Sequence, residues 1–211
     1  MATKAYALTN ATRIKDRLKI TSSDFDTLLA FLAFAATDFI QSQCSGRQFK
    51  SATYTNEVYD GSILGQENNQ RSKYLILKNA PIRTLTSIEY MSGSRTSPAW
   101  TAFPADDYVQ YAEMGVIYFP SGMPGGVQNI RITYIGGYLL DLAQSLYDDT
   151  LNTTPFELID LVERLCVKAF KKRESEGRSQ ETFKESSISW SGIMEASDWA
   201  IVKNYKRVFA L

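Results

Sequence analysis

Ser22-Ser23-Asp24-Phe25-Asp26-Thr27-Leu28-Leu29-Ala30-Phe31-Leu32-Ala33-Phe34-Ala35-Ala36-Thr37-Asp38-Phe39-Ile40 is the stretch on which the fold turns. Phe25, Leu28, Leu29, Leu32, Ala35, Ala36, Phe39 and Ile40 recur at helical spacing, while Phe31 and Phe34 widen the greasy surface beyond one stripe. Ser22 and Ser23 followed by acids read as an N-cap with capping-box character, so a helix is predicted from Asp24 to about Cys44, with Gly46 as its stop signal. A helix apolar around most of its circumference must be covered on more than one side. The rest of the chain therefore has to provide further helices, or a neighbour.

Outward from that helix, a short one is expected from Asn10 to Leu18. Beyond Gly46 the pattern changes to short aromatic and β-branched runs. It predicts strands near Tyr54 to Tyr59, Tyr74 to Leu77, Leu85 to Met91, Tyr108 to Tyr111, Gly115 to Phe119 and Val127 to Ile135. Gly61 to Ser72 and Ser92 to Pro98, rich in Gly, Ser, Asn, Gln and Arg, read as exposed loops. Thr154 and Pro155 open a helix through roughly Glu176, with Leu158, Leu161, Val162, Leu165, Cys166, Ala169 and Phe170 on its apolar face. Its acids come early (Glu157, Asp160, Glu163) and its bases late (Lys168, Lys171, Lys172, Arg173), as the helix dipole favours.

After Gly177, the segment Thr182 to Gly192 alternates Ile188 and Trp190 against serines, which predicts a strand-like arm. A last helix from Ser197 presents Trp199, Val202, Tyr205 and Phe209 along one side. The expected fold class is α+β: a helical bundle formed by N- and C-terminal helices, with an inserted, mainly antiparallel β domain. Residues 1–48 and 150–211 would form the helical domain with its C-terminal docking arm, and residues 49–149 the insertion.

Composition narrows the function. Of 211 residues, 23 are basic and 23 acidic, so the basic excess of a duplex-binding surface is missing. There is no histidine, which removes the commonest general base and metal ligand. The carboxylate pairs Asp106-Asp107 and Asp148-Asp149 lack the spacing of a calcium loop. The serines of residues 186–191 have no nucleophile elbow, and Gly125-Gly126 and Gly136-Gly137 open no phosphate loop. The expectation is no catalytic residue, no metal, no cofactor and no enzyme.

Cys44 and Cys166 fall on apolar helix faces and read as buried thiols. The N-terminus lacks a secretory h-region, and the longest apolar run, Leu28 to Ala36, is far short of the roughly 20 residues that span a bilayer. No membrane role is expected, and the sequons at Asn10 and Asn152 read as chance. The many aromatics of the β region, from Tyr54 to Tyr134, could form a stacking platform for sugars or bases, although cross-strand core packing is the commoner use.

Several phrases occur in a telling order: Gly46-Arg47-Gln48-Phe49, Leu77-Lys78-Asn79-Ala80-Pro81-Ile82 leading into Leu85 to Tyr90, and Asp107-Tyr108. They continue with Gly115-Val116-Ile117-Tyr118-Phe119, Ile130-Arg131-Ile132-Thr133-Tyr134-Ile135-Gly136-Gly137-Tyr138, and the Thr154-Pro155 helix start. In this arrangement, from about Ser22 to Phe209, the chain resembles the head-tail connector or adaptor (head completion) family of tailed bacteriophages.

The resemblance implies a structural virion protein, made in the host cytoplasm and located in the neck between capsid and tail. It would form a ring of its own copies, usually twelve, below the portal protein. The next neck or tail-completion protein would dock on that ring, and double-stranded DNA would pass through it without sequence reading. On that view Leu28, Phe31, Leu32, Phe34 and Phe39 are candidates for the subunit interface. Ile188, Trp190, Trp199, Val202, Tyr205, Arg207 and Phe209 are candidates for portal docking. The alternative is a carbohydrate- or receptor-binding β module of a virion, which a glycan array would separate from an adaptor.

Overall fold

The computed structural model describes residues 6–61, 73–143, 151–175 and 189–206. The fold is mixed α+β, with N- and C-terminal helices flanking a β region built of two antiparallel sheets. The chain divides into two compact units, Met1–Lys50 with Leu139–Leu211, and Ser51–Tyr138. The return to the helical unit thus falls at Tyr138/Leu139, where the sequence pattern suggested a point near residue 149.

In the helical unit, α1 spans Ala11–Leu18, capped by the Asn10 side chain accepting from the Arg13 amide and closed by Lys19 in the left-handed region. The second helix, α2, spans Asp26–Gln43. It starts later than the serines suggest, because the Ser22 hydroxyl pairs with Asp24 and Phe25 at the N-cap position has no side-chain cap. Gly46 ends it as expected: at φ 69° it turns the chain so that its amide reaches the Gln41 carbonyl at 2.9 Å.

The third helix, α3, spans Phe156–Ser175 and packs on both α1 and α2. α2 and α3 pack on each other, and Leu29, Leu32, Ala33, Ala36 and Ile40 of α2 and Leu158, Leu161, Val162, Leu165, Cys166 and Phe170 of α3 are all buried. Each large aliphatic side chain there contributes on the order of 1.5–3 kcal/mol by leaving water. The apolar breadth of α2 is largely used up in this unit, since Thr37, which interrupts it, is also buried and bonds the Ala33 carbonyl and the Leu8 amide.

The expected arm from Thr182 lies mostly outside the described residues. Its described end, Trp190–Gly192, is a 3₁₀ turn rather than a strand, with the Ile193 amide returning to the Trp190 carbonyl. The last helix, α4, spans Ala196–Tyr205 and begins at a capping box made by Glu195 and Asp198.

In the β unit, a four-stranded sheet has the order β1 (Ala52–Tyr59), β7 (Ile130–Gly136), β3 (Ile82–Met91), β4 (Trp100–Ala102). A three-stranded sheet has the order β2 (Tyr74–Ile76), β6 (Val116–Tyr118), β5 (Val109–Tyr111). β7 alternates strictly: Ile130, Ile132 and Tyr134 are buried while Arg131, Thr133 and Ile135 face the other way. The buried set joins Leu75, Leu77, Ile82, Ile88, Ile117, Phe119 and Met123 in a single core. Asn56, at φ 52°, marks the bulge where β1 slips register against β7.

Gly136 is needed for close approach. A Cβ there would lie 2.2 Å from the Asn79 carbonyl oxygen and 2.6 Å from the Tyr134 ring. Gly136→Ala should therefore destabilise the β unit by about 1–3 kcal/mol through overpacking. A urea titration would read this as a lowered midpoint, and an unchanged midpoint would refute the packing account.

Candidate functional site

The helical unit is tied together by a run of charges along one side of α3. The Glu163 carboxylate, 2% exposed, accepts from Arg13 Nε at 2.7 Å, Arg17 Nε at 2.6 Å and the Thr9 hydroxyl at 3.1 Å. Arg17 also reaches Asp160 at 2.6 Å, and Asp160 accepts from Arg164 at 2.8 Å. Arg164 continues to Asp198 of α4 at 2.7 Å, and Lys168 joins Asp198 at 3.4 Å and Glu195 at 2.6 Å. Eight charged side chains thus form one continuous chain from α1 across α3 to α4, with four cations matched to four anions.

Beside it lies a cleft of about 340 Å³ lined by Arg17, Arg164, Val167 and Lys168. Its three cations already face carboxylates, so it has little attraction left for an anion. Burial alone would raise the Asp198 carboxyl. The Glu195 amide, Arg164 and Lys168 outweigh burial and hold the carboxyl below the ordinary aspartate range.

The candidate interface residues on α2 separate into two groups. Leu28 and Leu32 lie in the core of their own unit. Phe31 is 47% exposed, Phe34 is partly buried with Tyr6 edge-on at 6.4 Å, and Phe39 stacks on Trp190 at 6.3 Å. Phe39 also meets Trp199 edge-on at 6.3 Å, so one α2 residue gathers the two tryptophans expected to dock a partner.

Of the expected docking residues, Trp190 and Val202 are buried and Trp199 is partly exposed. Tyr205 sets its ring on Phe49 and donates its hydroxyl to Glu157. Ile188, Arg207 and Phe209 lie outside the described residues.

In the β unit, the Glu57 carboxylate accepts from Tyr59 at 2.6 Å and Tyr134 at 2.7 Å. Burial, reinforced by Glu57, pushes both phenols well above their ordinary range, and Tyr54 to about 12. These phenols stay protonated at neutral pH, and those of Tyr59 and Tyr134 act as donors to Glu57. Burial likewise pushes the Cys44 thiol up to about 11 and raises Cys166, so neither is a thiolate at neutral pH.

Among the described residues, no group of three or more Cys, Asp and Glu is placed to hold a metal ion, and no helix is long and apolar enough to cross a membrane. The aromatics of the β unit divide. Phe103, Phe119, Tyr108 and Tyr90 pack ring against ring, and Tyr54 stacks on Tyr134 at 5.1 Å. Tyr74, Tyr111 and Tyr118 belong instead to the outer face of the three-stranded sheet.

No family model matches the chain, and no curated protein matches it by sequence. Its fold is shared with a chain of a solved structure described as the neck of an empty GTA particle, computed with C6 symmetry. The two are 14% identical, the match covers 100% of this chain and 95% of the other, and the TM-score is 0.58. At that identity the likeness is one of fold, and it embraces both units.

The charge chain gives two predictions. Glu163→Gln leaves two arginines without their shared anion. It should cost about 2–3 kcal/mol in a denaturant titration, less than the ~3–5 of a fully enclosed pair because the arginines can turn to water.

The Asp198 carboxyl is depressed in the folded state. Its contribution is therefore complete above the unfolded value of about 3.9 and is lost as pH falls through the lower folded value. Tryptophan fluorescence from Trp190 and Trp199 should report loosening of α4 in that acid window. Asp198→Asn should flatten this response, and an unaltered acid profile would remove Asp198 as its source.

Proposed function

We propose that this chain is a structural neck protein of a tailed-phage-type virion. It acts as a head-tail adaptor, forming a ring below the portal that joins the DNA-filled capsid to the neck and tail. The observation that carries this reading is the end-to-end fold match to a chain from the neck of a GTA particle, a match that takes in the terminal helices and the inserted β unit together. The C6 symmetry named for that neck favours a closed ring of copies. Six copies satisfy it, as do twelve arranged two to each repeat.

The chemistry of the chain suits such a role. A ring that conducts DNA without reading it needs no net positive charge, and this chain has 23 basic and 23 acidic residues. Both thiols and the buried phenols of Tyr54, Tyr59 and Tyr134 are held protonated by burial, and the charges linking α1, α3 and α4 neutralise one another, which supports a non-enzymatic part. A cyclic assembly also requires two different surfaces on each copy, which a chain of two unlike units can supply. The partners on this reading are further copies, the portal protein above and a neck or tail-completion protein below, with the mature location in the virion neck.

The decisive experiment is electron microscopy of the full chain with a portal ring and of particles assembled in its absence. The expected result is a ring of six or twelve copies seated on the portal, and DNA-filled heads without tails when the chain is missing. A polypeptide that stays monomeric beside the portal and is absent from particles would overturn the proposal.

A further inference from the structure

The outer face of the three-stranded sheet is built wrongly for contact with water. Register places Tyr74, Tyr118 and Val109 in one cross-strand row and Ile76, Val116 and Tyr111 in the next. The alternating residues Leu75 and Ile117 point into the core, so both outward rows are apolar or aromatic throughout. Met114, in the turn between β5 and β6, adds a seventh side chain, 65% exposed. An antiparallel sheet with one face on its core ordinarily carries polar residues on the other.

The exposed fractions are 59% for Tyr74, 47% for Val109 and 46% for Tyr111. At roughly 200 Å² per large side chain, these residues and Met114 put on the order of 400 Å² of apolar surface in one place. That is the size of patch that is often functional on a monomer, roughly 300–600 Å². A shallow depression of about 310 Å³, lined by Tyr74, Ile76, Tyr111, Met114 and Val116, gives it a concave centre.

We infer that this face is a subunit contact, covered in the assembled state by a second copy of the same chain. The inference rests on the ring reading above and names one of the two surfaces that a ring requires. Area argues for a repeated contact: the patch supplies about half of the ~800 Å² that each partner gives to a stable two-body complex. One such contact is weak by itself, but closing a ring on a multivalent platform multiplies it through effective concentration.

Charge permits the contact: neither row carries an ionised side chain, so another copy can cover the face without burying an unpaired charge on it, and the chain carries no net charge to set copies against one another at long range. A sugar is the poorer fit. Stacking on Tyr74 or Tyr111 is available, but the only polar groups on the face are phenol hydroxyls, with no carboxylate or amide to fix the many hydroxyls of a sugar.

The test uses the full chain, with self-association followed by native mass spectrometry and sedimentation across a concentration series, alone and with a portal ring. A Tyr111→Ser, Met114→Glu double variant should need at least tenfold more protein to assemble while its melting temperature stays at the wild-type value. Thr53→Glu, on an exposed position of β1 in the other sheet, should assemble as wild type.

A second measurement guards against misfolding. Cys44 and Cys166 are buried, so a Met114→Cys thiol is selectively labelled by a bulky maleimide, and assembly should slow that labelling at least tenfold. A folded double variant that assembles normally, or labelling at equal rates in both states, would overturn the inference and leave the ring reading standing. Selective glycan binding that is lost with Tyr111 would overturn it in favour of a sugar site. A wild-type chain that never self-associates would bring down the ring reading itself.

Discussion

A carboxylate closed off from water between two arginines is the constraint on which the helical unit depends. Glu163 sits on α3, and its partners Arg13 and Arg17 sit on α1, about a hundred and fifty residues earlier in the chain (separations of 150 and 146). An eight-residue helix such as α1 is too short to persist alone in water. It holds its place because Ile14 enters the core while the two arginines grip α3. α4, ten residues long, is anchored in the same manner through Asp198. Replacing such pairs by hydrocarbon could yield equal stability. The charges supply something greasy contacts do not: an α1 rotated or slipped by a turn would leave Glu163 buried with no cation.

Much of this was legible in the sequence, and the failures have physical causes. The patterns of α2, α3 and β7 are long enough for packing and periodicity to agree, and α1, though short, begins at Asn10, the capping residue its sequence offers. β4, Trp100–Ala102, is three residues long and too short to show alternation. Ser22 carries the right residue type for a cap but spends its hydroxyl on Asp24. Glu195 and Asp198 form a capping box without the serine or threonine by which such a box is usually recognised. The early acids of α3 fit the helix dipole, a local rule that predicts their sign correctly while concealing that Asp160 and Glu163 serve partners far away in sequence.

The candidate surface was legible only in part. Helical spacing identified α2 as apolar on more than one side, but spacing cannot say whether a given side is covered from within or from without. Leu28 and Leu32 are covered from within, whereas Phe31 remains 47% exposed. In the β unit the difficulty was the reverse. Tyr74, Tyr111 and Tyr118 have the same composition signature as Tyr54 and Tyr134, and only the strand register sends the first three outward and the last two toward the core. A list of aromatics carries no facing; a ladder of hydrogen bonds does.

The two units therefore leave different residues unfinished business. In the helical unit the charges that link α1, α3 and α4 close on themselves, four against four, and the large apolar side chains exposed among its described residues, such as Phe31 and Phe156, are single ones of the kind any protein surface carries. In the β unit the small sheet has a core on one side and, on the other, an uncharged face of aromatic and aliphatic side chains that stays largely in water in the single chain. Three strands of three residues hold few ladder bonds, and such a sheet gains stability from anything that covers its open face.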